Sequence, residues 1–254
     1  MISKSRIKLV NSLEQKKFRK REGLFVAEGP KLVNDLLSIL PCQWMAHTQQ
    51  YAKPSSICFP IEHEEICTPD ELQKLSFLTT PQQVIALFSL PQHEFNPQLP
   101  AQELCLALDG VQDPGNLGTI VRLADWFGIR HIFCSPTTAD IYSPKAIQAT
   151  MGAIARVNLY YTDLVELIKQ QESNTPIYGT LLDGNNVYQE DLQQKGLLIM
   201  GNEGNGLSQE VRALLTHKLF IPSFPPDSPT SESLNVGVAT AILCAEFRRK
   251  ALFP

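Results

Sequence analysis

The feature that most constrains this chain is the regular alternation of apolar strands with helical segments over residues 104–254. The predicted strands cover residues 104–108, 131–134, 157–160, 177–182, 197–200 and 218–221. Strands that alternate with helices form a parallel sheet with helices on both faces, because each crossover must run back over one face. The sequence therefore predicts an α/β fold for this part of the chain.

A glycine-rich loop, IMGNEGNGLS at residues 199–208, follows one of these strands. Glycine lets the backbone approach a ligand closely, although a plain strand-to-helix turn explains the same pattern. The dinucleotide fingerprint would need glycine where Glu203 stands, and the nucleotide-triphosphate loop would need lysine where Leu207 follows Gly206. The loop therefore disfavours a strongly anionic ligand and is compatible with a ligand that has a positive centre.

Charge is unevenly distributed along the chain, although the net charge is only −4. Residues 1–31 hold nine basic and three acidic residues, a net charge of +6, so the remainder carries −10. Charges act locally on phosphates because salt screens them beyond roughly 10 Å. The N-terminal cluster is thus a candidate RNA-binding surface, and a solvated helix face accounts for it equally well.

Residues 1–90 predict a small α/β domain, which a proline-rich linker at 91–103 joins to a second domain at 104–254. In the first domain we predict a helix over 2–20 that Gly23 ends, and a helix over 69–78 that Thr68 caps. The predicted strands of this domain cover residues 24–27, 42–46, 57–59 and 84–90.

The six cysteines are scattered without a CxxC pair, which argues for reduced, buried thiols and against a zinc site. No apolar run approaches the roughly 18 residues needed to span a membrane. The N-terminus also lacks the apolar core of a signal peptide. We therefore expect a cytoplasmic protein that binds no metal and no membrane.

Three stretches, in this order, resemble the three motifs of the SpoU/TrmH family of RNA ribose methyltransferases, within the SPOUT superfamily. They are DPGNLGTIVRLADWFG at 113–128, IMGNEGNGLS at 199–208 and IPSFPPDSPTSESLNVGVATAILCAEFRRK at 221–250. The N-terminal stretch RKREGLFVAEGPKLV is similar to that family's small ribosomal-protein-like α/β domain, which binds the substrate. The resemblance implies a SPOUT α/β fold with a C-terminal deep trefoil knot, which periodicity alone could not predict.

The resemblance also implies a homodimer that uses S-adenosylmethionine to methylate a ribose 2′-hydroxyl in ribosomal or transfer RNA. The catalytic positions that it implies are Arg122, Asn116, Glu203, Ser233 and Asn235. The positions that it implies for binding the cofactor are Leu181, Gly201, Asn202, Ile221 and Leu234. Arg122 would lie near the ribose and phosphate of the target nucleotide, and Glu203 would organise the glycine loop or the active site at the dimer side.

A guanidinium is effectively never deprotonated in proteins, so we expect Arg122 to stay charged rather than act as a general base. It would hold the phosphate and stabilise a developing alkoxide. The third motif departs from the family pattern by a longer loop between Pro222 and Ser233, which prolines 225, 226 and 229 are expected to stiffen. Asn202 stands where the family often has Ser, and Leu123 where Thr is common.

Other roles remain open for several of these residues. Asn116 could cap a helix over 117–126, Ser233 could cap the last helix, and Trp126 could be a core or interface residue. A non-catalytic RNA-binding protein with the same fold is the alternative function, and the retained motif residues argue against it. A nucleotide-dependent α/β enzyme is disfavoured by the missing phosphate patterns.

Overall fold

A computed structural model of the protein describes residues 1–225 and 233–253. The chain forms two compact units, Met1–Gln92 with Asp140–Ala155 and His93–Ala139 with Arg156–Pro254. The change of unit after Gln92 falls at the predicted linker. Residues 140–155, which the sequence prediction assigned to the second domain, pack within the first unit.

The secondary structure elements are as follows. The strands are β1 (Leu24–Glu28), β2 (Cys42–His47), β3 (Glu64–Ile66), β4 (Val84–Ser89), β5 (Leu104–Asp109), β6 (His131–Cys134), β7 (Asn158–Tyr161), β8 (Ile177–Asn186), β9 (Gly196–Gly201) and β10 (His217–Phe220). The helices are α1 (Lys4–Ser12), α2 (Lys16–Glu22), α3 (Pro30–Leu37), α4 (Pro69–Leu75), α5 (Leu99–Gln102), α6 (Pro114–Trp126), α7 (Pro144–Thr150), α8 (Leu164–Lys169), α9 (Gln209–Arg212) and α10 (Val236–Leu252).

The first unit contains a four-stranded mixed sheet in the order β1-β4-β2-β3. Strand β4 pairs antiparallel with β1 and β2, and β3 pairs parallel with β2. Thr68 caps α4 as predicted, because its hydroxyl accepts from the backbone N–H of Glu71 while the Glu71 carboxylate accepts from that of Thr68.

The single helix predicted over 2–20 is wrong, since the chain breaks after Leu13 into α1 and α2. Arg19 explains the break. Its Nη1 donates to the carbonyl oxygens of Leu13 at 2.6 Å and Glu14 at 2.7 Å, and its Nη2 lies 2.7 Å from an Asp140 carboxylate oxygen. Arg19 is only 3 % exposed, so one of the nine basic residues is withdrawn from the candidate RNA-binding surface.

The strand predicted at 57–59 is also wrong. Ile57 lies in irregular, exposed chain, and β3 forms instead at Glu64–Ile66. Polar side-chain contacts hold β3 on β2: Glu64 accepts from His47 Nε2 at 2.7 Å, and Glu65 accepts from Trp44 Nε1 at 2.7 Å. A hydrophobic pattern carries no information about such contacts.

The second unit contains a six-stranded sheet in the order β10-β8-β9-β5-β6-β7, and every neighbouring pair is parallel. The predicted parallel α/β fold is therefore confirmed. Cys105 and Ala107 of β5 join a buried cluster with α8 and α9, while the alternating residues Leu104, Leu106 and Leu108 are buried too. Both faces of the central strand are therefore covered, as parallel sheets require.

The direction of strand addition reverses between β5 and β9. Strands β6 and β7 lie on one side of β5, whereas β9, β8 and β10 lie on the other. The carboxyl ends of the two central strands meet here, because Asp109 pairs with Gly201. In open α/β sheets a ligand crevice lies at such a point.

Two helix caps differ from the prediction. Helix α6 begins at Pro114, and its cap is Asp113, whose carboxylate accepts from the Asn116 N–H at 2.9 Å. Asn116 is therefore free to use its side-chain amide elsewhere. Helix α10 is capped by Asn235, whose Oδ1 accepts from the backbone N–H groups of the next turn, and not by Ser233.

Five of the six cysteines are buried, and Cys58 is exposed. Burial raises the pKa of the Cys42 and Cys244 thiols to about 12, so both stay protonated at neutral pH. Across residues 1–225 and 233–253 the structure contains no helix that is long and apolar enough to cross a membrane. Within the same residues no three His, Cys, Asp or Glu side chains are grouped to hold a metal ion. Pro226 and Pro229, which were expected to stiffen the loop of the third motif, lie outside the described residues.

Candidate active site

The glycine-rich loop is fixed at the carboxyl end of β9 by Asn202. Its backbone exchanges two hydrogen bonds with Gly206, both 2.9 Å long, and its Oδ1 accepts from the N–H groups of Gly204 and Asn205. Its Nδ2 donates to the carbonyl oxygen of Gly110 at 2.7 Å, which ties the loop to the end of β5. Gly206 has φ +68°, a conformation that favours glycine. The asparagine that departs from the family pattern thus has a definite structural use here.

A chain of side-chain amides joins the three motifs. Asn116 Nδ2 donates to Glu203 Oε1 at 2.9 Å, and Asn235 Nδ2 donates to Asn116 Oδ1 at 3.0 Å. Asn116 comes from the first motif, Glu203 from the second and Asn235 from the third. Each amide is used in the orientation that lets donor meet acceptor, so the three groups fix one another.

Helix α10 is tied to α6 at both ends. Asn235 binds Asn116 near the start of α6, and Arg248 Nε donates to the carbonyl oxygen of Phe127 at 2.7 Å, just after α6 ends. Arg248 also donates to the Gly128 carbonyl oxygen at 3.2 Å. These bonds satisfy carbonyl groups that a helix end leaves without partners, and they hold the third motif in place against the first.

A cleft of about 860 Å³ opens beside the glycine loop. It is lined by residues of β8, of the loop, of the segment after β10 and of the start of α10. The lining includes all five residues predicted to bind the cofactor, Leu181, Gly201, Asn202, Ile221 and Leu234, and also the predicted catalytic residues Glu203 and Ser233. The structure therefore brings seven of the ten predicted positions to one cavity, and the amide chain connects Asn116 and Asn235 to it.

Arg122 lies apart from this group. It is exposed on α6, six residues beyond Asn116, and is not among the described residues that line the cleft. Within the described parts of the chain it has no hydrogen bond or ion pair. Trp126, one turn further along, is 83 % exposed, so it is not the core residue that was one alternative.

Sequence reasoning missed two charged residues of the cleft, Asp183 in β8 and Arg212 at the end of α9. Their side chains form an ion pair of 2.5 Å. Asp183 directly follows the apolar run that was predicted as a strand, and a charged residue at that point was the available signal. Arg212 carries no comparable signal, because an arginine on a helix after the loop suits a solvated surface equally well.

Two family models match the chain. The model of the SpoU rRNA Methylase family matches residues 103–245, and the model of the MRM3-like substrate binding domain matches residues 4–86.

Full-length relatives and solved structures agree with these matches. The chain is 30 % identical over 251 residues to a Bacillus subtilis protein named 23S rRNA (guanosine-2′-O)-methyltransferase RlmP, covering 96 % of each chain. A solved structure from Porphyromonas gingivalis, assigned to the TrmH family, superposes with a TM-score of 0.86 at 41 % identity over 98 % of this chain and 99 % of that one. A structure titled as an AdoMet-bound rRNA methyltransferase from Sinorhizobium meliloti superposes with a TM-score of 0.80 at 27 % identity, over 98 % and 97 %.

Proposed function

The chain belongs to the SpoU rRNA Methylase family, and on that premise we propose that it transfers a methyl group from S-adenosylmethionine to a ribose 2′-hydroxyl of RNA. It is an S-adenosylmethionine-dependent RNA methyltransferase of the same kind as its relatives. The Bacillus subtilis relative is named for 23S rRNA, so large-subunit ribosomal RNA is the first substrate to test.

One observation carries the proposal: the amide chain from Asn235 through Asn116 to Glu203 unites three distant motifs at the mouth of a cleft lined by every predicted cofactor residue. A plain strand-to-helix turn has no need for such a network. A non-catalytic RNA-binding protein would have no use for a cleft of this composition either.

The cleft suits the methyl donor. Leucine and isoleucine side chains provide apolar walls for an adenosine group, and the glycine loop exposes backbone groups. The charged residues among the described lining are Asp183, Glu203 and Arg212, a net charge of −1. A ligand with a sulfonium and an ammonium cation and one carboxylate matches that charge pattern.

When bound, S-adenosylmethionine would supply an electrophilic methyl group. The ribose oxygen would form a bond to the methyl carbon as the carbon–sulfur bond in line with it breaks, and S-adenosylhomocysteine would leave. Much of the catalysis then lies in alignment, which is worth several kcal/mol when the reacting atoms are held in place. Asn116 and Asn235 contribute by fixing Glu203 and hence the loop that shapes the cleft. Ser233 lines the cleft and would contact the target nucleotide.

Arg122 would hold the phosphate of the target nucleotide and stabilise negative charge on the attacking oxygen. Its exposure leaves the guanidinium accessible to RNA, and a guanidinium stays charged at any physiological pH. The proton of the hydroxyl is then released to water rather than to this arginine.

We further propose that the active form is a homodimer. The exposed apolar residues Trp126 on α6 and Val238 on α10 support this, because these helices pack together and apolar exposure of this kind is typical of an interface. We also propose that the C-terminal segment forms a deep trefoil knot, since residues on both sides of positions 226–232 line the same cleft. A cytoplasmic location is proposed from the buried, protonated thiols.

The test is methyl transfer from labelled S-adenosylmethionine to 23S ribosomal RNA and to transfer RNA, followed by mapping of the modified ribose. Calorimetry with S-adenosylmethionine accompanies it. We expect binding of the donor and one ribose modified to completion. A protein that gives no heat of binding and modifies neither RNA would be the non-catalytic alternative.

The role of Arg122 is tested separately in single-turnover reactions. Arg122→Lys keeps the charge and loses the fork of donors, so we expect the rate to fall about 100-fold, the usual loss for one transition-state donor. Arg130→Gln is the matched control, because Arg130 is an exposed arginine of the same unit outside α6. If Arg122→Lys keeps most of the rate with unchanged RNA affinity, the bidentate role is wrong.

A further inference from the structure

The ion pair between Arg212 and Asp183 lies in the wall of the cleft and belongs to none of the three motifs. Both side chains line the cavity, and they are 45 % and 57 % exposed. Half-exposed ion pairs contribute about 0–1 kcal/mol to stability. Structural stabilisation is therefore a weak reason for two charges at this place.

The packing around the pair makes a structural role weaker still. A methyl group added at Gly179 would lie 2.3 Å from Leu215 Cδ1 and 2.9 Å from Leu207 Cδ1. The residues on either side of α9 thus sit directly on the backbone of β8. Close apolar packing already holds α9 in place, and the ion pair is not needed to do so.

We propose that Arg212 and Asp183 together bind the amino-acid end of the methyl donor, Arg212 its carboxylate and Asp183 its ammonium group. The proposal rests on the proposed function. A guanidinium matches a carboxylate with two parallel N–H donors, and a carboxylate accepts from an ammonium group. The two partners already lie at ion-pair distance from each other, as the two charges of an amino acid do.

The charges favour this ligand over an RNA phosphate. Asp183 stands beside Arg212, so a phosphate approaching the guanidinium would meet a carboxylate as well. Glu203, the third charged residue of the described lining, adds to that repulsion and is held in position by Asn116. The amino-acid end of the methyl donor carries both charges, so its carboxylate would face Arg212 and its ammonium group would face Asp183.

Calorimetry on the full chain with three ligands tests the assignment. S-adenosylmethionine carries both charges, decarboxylated S-adenosylmethionine lacks the carboxylate, and 5′-methylthioadenosine lacks the whole amino-acid end. Arg212→Gln should lower the affinity for S-adenosylmethionine about tenfold, which is the low end for loss of a hydrogen bond to a charged group at a half-exposed site. It should leave the other two ligands unchanged.

Asp183→Asn should lower the affinities for S-adenosylmethionine and for its decarboxylated form by similar factors. The affinity for 5′-methylthioadenosine should stay unchanged. Arg156→Gln is the matched control, because Arg156 forms an exposed ion pair with Asp125 in the same unit and does not line the cleft. It should change none of the three affinities. Each comparison is between ligands on one variant, so a loss of folded protein cancels.

If Arg212→Gln weakens all three ligands equally, the pair only shapes the cleft and the proposal is overturned. If it alters none of them but lowers RNA affinity, Arg212 is a phosphate contact and the proposal is equally overturned. If the unaltered chain binds no S-adenosylmethionine, the proposed function fails together with this assignment. In the other two outcomes the chain still binds the methyl donor, so only the assignment of Arg212 and Asp183 fails.

Discussion

Arg19 offers the sharpest test of the fold of the first unit. Its guanidinium, 3 % exposed, donates to two carbonyl groups at the break between α1 and α2 and forms an ion pair with Asp140. Arg19→Met removes all three interactions and leaves the Asp140 carboxylate, itself 15 % exposed, without its cation. Breaking a buried pair in this way costs about 3–5 kcal/mol, and we expect about 4 kcal/mol.

The two tryptophans allow this loss to be measured in one unit. Trp44 is fully buried in the first unit, whereas Trp126 belongs to the second and is exposed. In a Trp126→Phe background, urea unfolding followed by fluorescence therefore reports the first unit alone. The midpoint should fall while the slope with urea stays constant, because the surface exposed on unfolding is unchanged.

The double variant Arg19→Met with Asp140→Leu separates charge from packing. Removing both charges should recover most of the lost stability, since no uncompensated carboxylate is left in the interior. The stability of Arg19→Lys should lie between those of Arg19→Met and the unaltered chain, because an ammonium cannot bridge two carbonyls and a carboxylate as the planar guanidinium does. A loss below about 1 kcal/mol for Arg19→Met would refute the reasoning, since buried partners left unpaired must cost more than that.

Three further predictions follow from the structure. Asn116→Ala should lower the rate of single-turnover methylation at least about tenfold, because it removes the hydrogen bond from Asn116 to Glu203 and the one from Asn235 to Asn116. It should lower the free energy of unfolding by only about 1 kcal/mol. An unchanged rate would remove the amide chain from the mechanism. For the proposed homodimer, Trp126→Ala should raise the dissociation constant about tenfold or more in sedimentation experiments, the usual effect of truncating a tryptophan at an interface. An unchanged constant would contradict the proposal that α6 forms the interface. Burial raises the pKa of the Glu28 carboxyl despite hydrogen bonds from Ser76 and Phe77, so the folded state retains this proton above the pH at which the unfolded chain releases it. Stability should therefore decline as pH rises from the ordinary glutamate pKa through the raised one, and Glu28→Gln should abolish that decline in urea midpoints measured from pH 4 to 8.

The elements that sequence reasoning predicted well are those whose causes lie close together in the chain. Strand β6 was predicted at its observed bounds, and α4 was predicted with Thr68 as its cap. A cap and its partner are three residues apart, and an apolar strand carries its own pattern, so both can be recognised without knowing the rest of the fold. The predicted helix over 2–20 failed because the group that stabilises its break, Arg19, binds Asp140, 121 residues away.

The functional site shows the same division. The motif residues were recognised from sequence, and their resemblance to a family supplied the cofactor and the reaction. The hydrogen bond between Asn116 and Glu203 joins residues 87 positions apart, and the one between Asn235 and Asn116 joins residues 119 positions apart. Both contacts became known only from the tertiary structure. So did the meeting of Asp183 with Arg212 in the wall of the cleft.

By itself the sequence determined that the strands of residues 104–220 form a parallel α/β sheet, that a glycine loop follows one of them, and which family the motifs resemble. Those properties depend on local periodicity, capping and residue type, which are written along the chain. Only the tertiary structure decided that residues 140–155 pack with the first unit, that Asp113 rather than Asn116 begins α6, and which side chains share the cleft. The reason is physical: a hydrogen bond or ion pair depends on the distance between two groups in space, and the order of residues does not specify that distance until the sheet has brought its strand ends together.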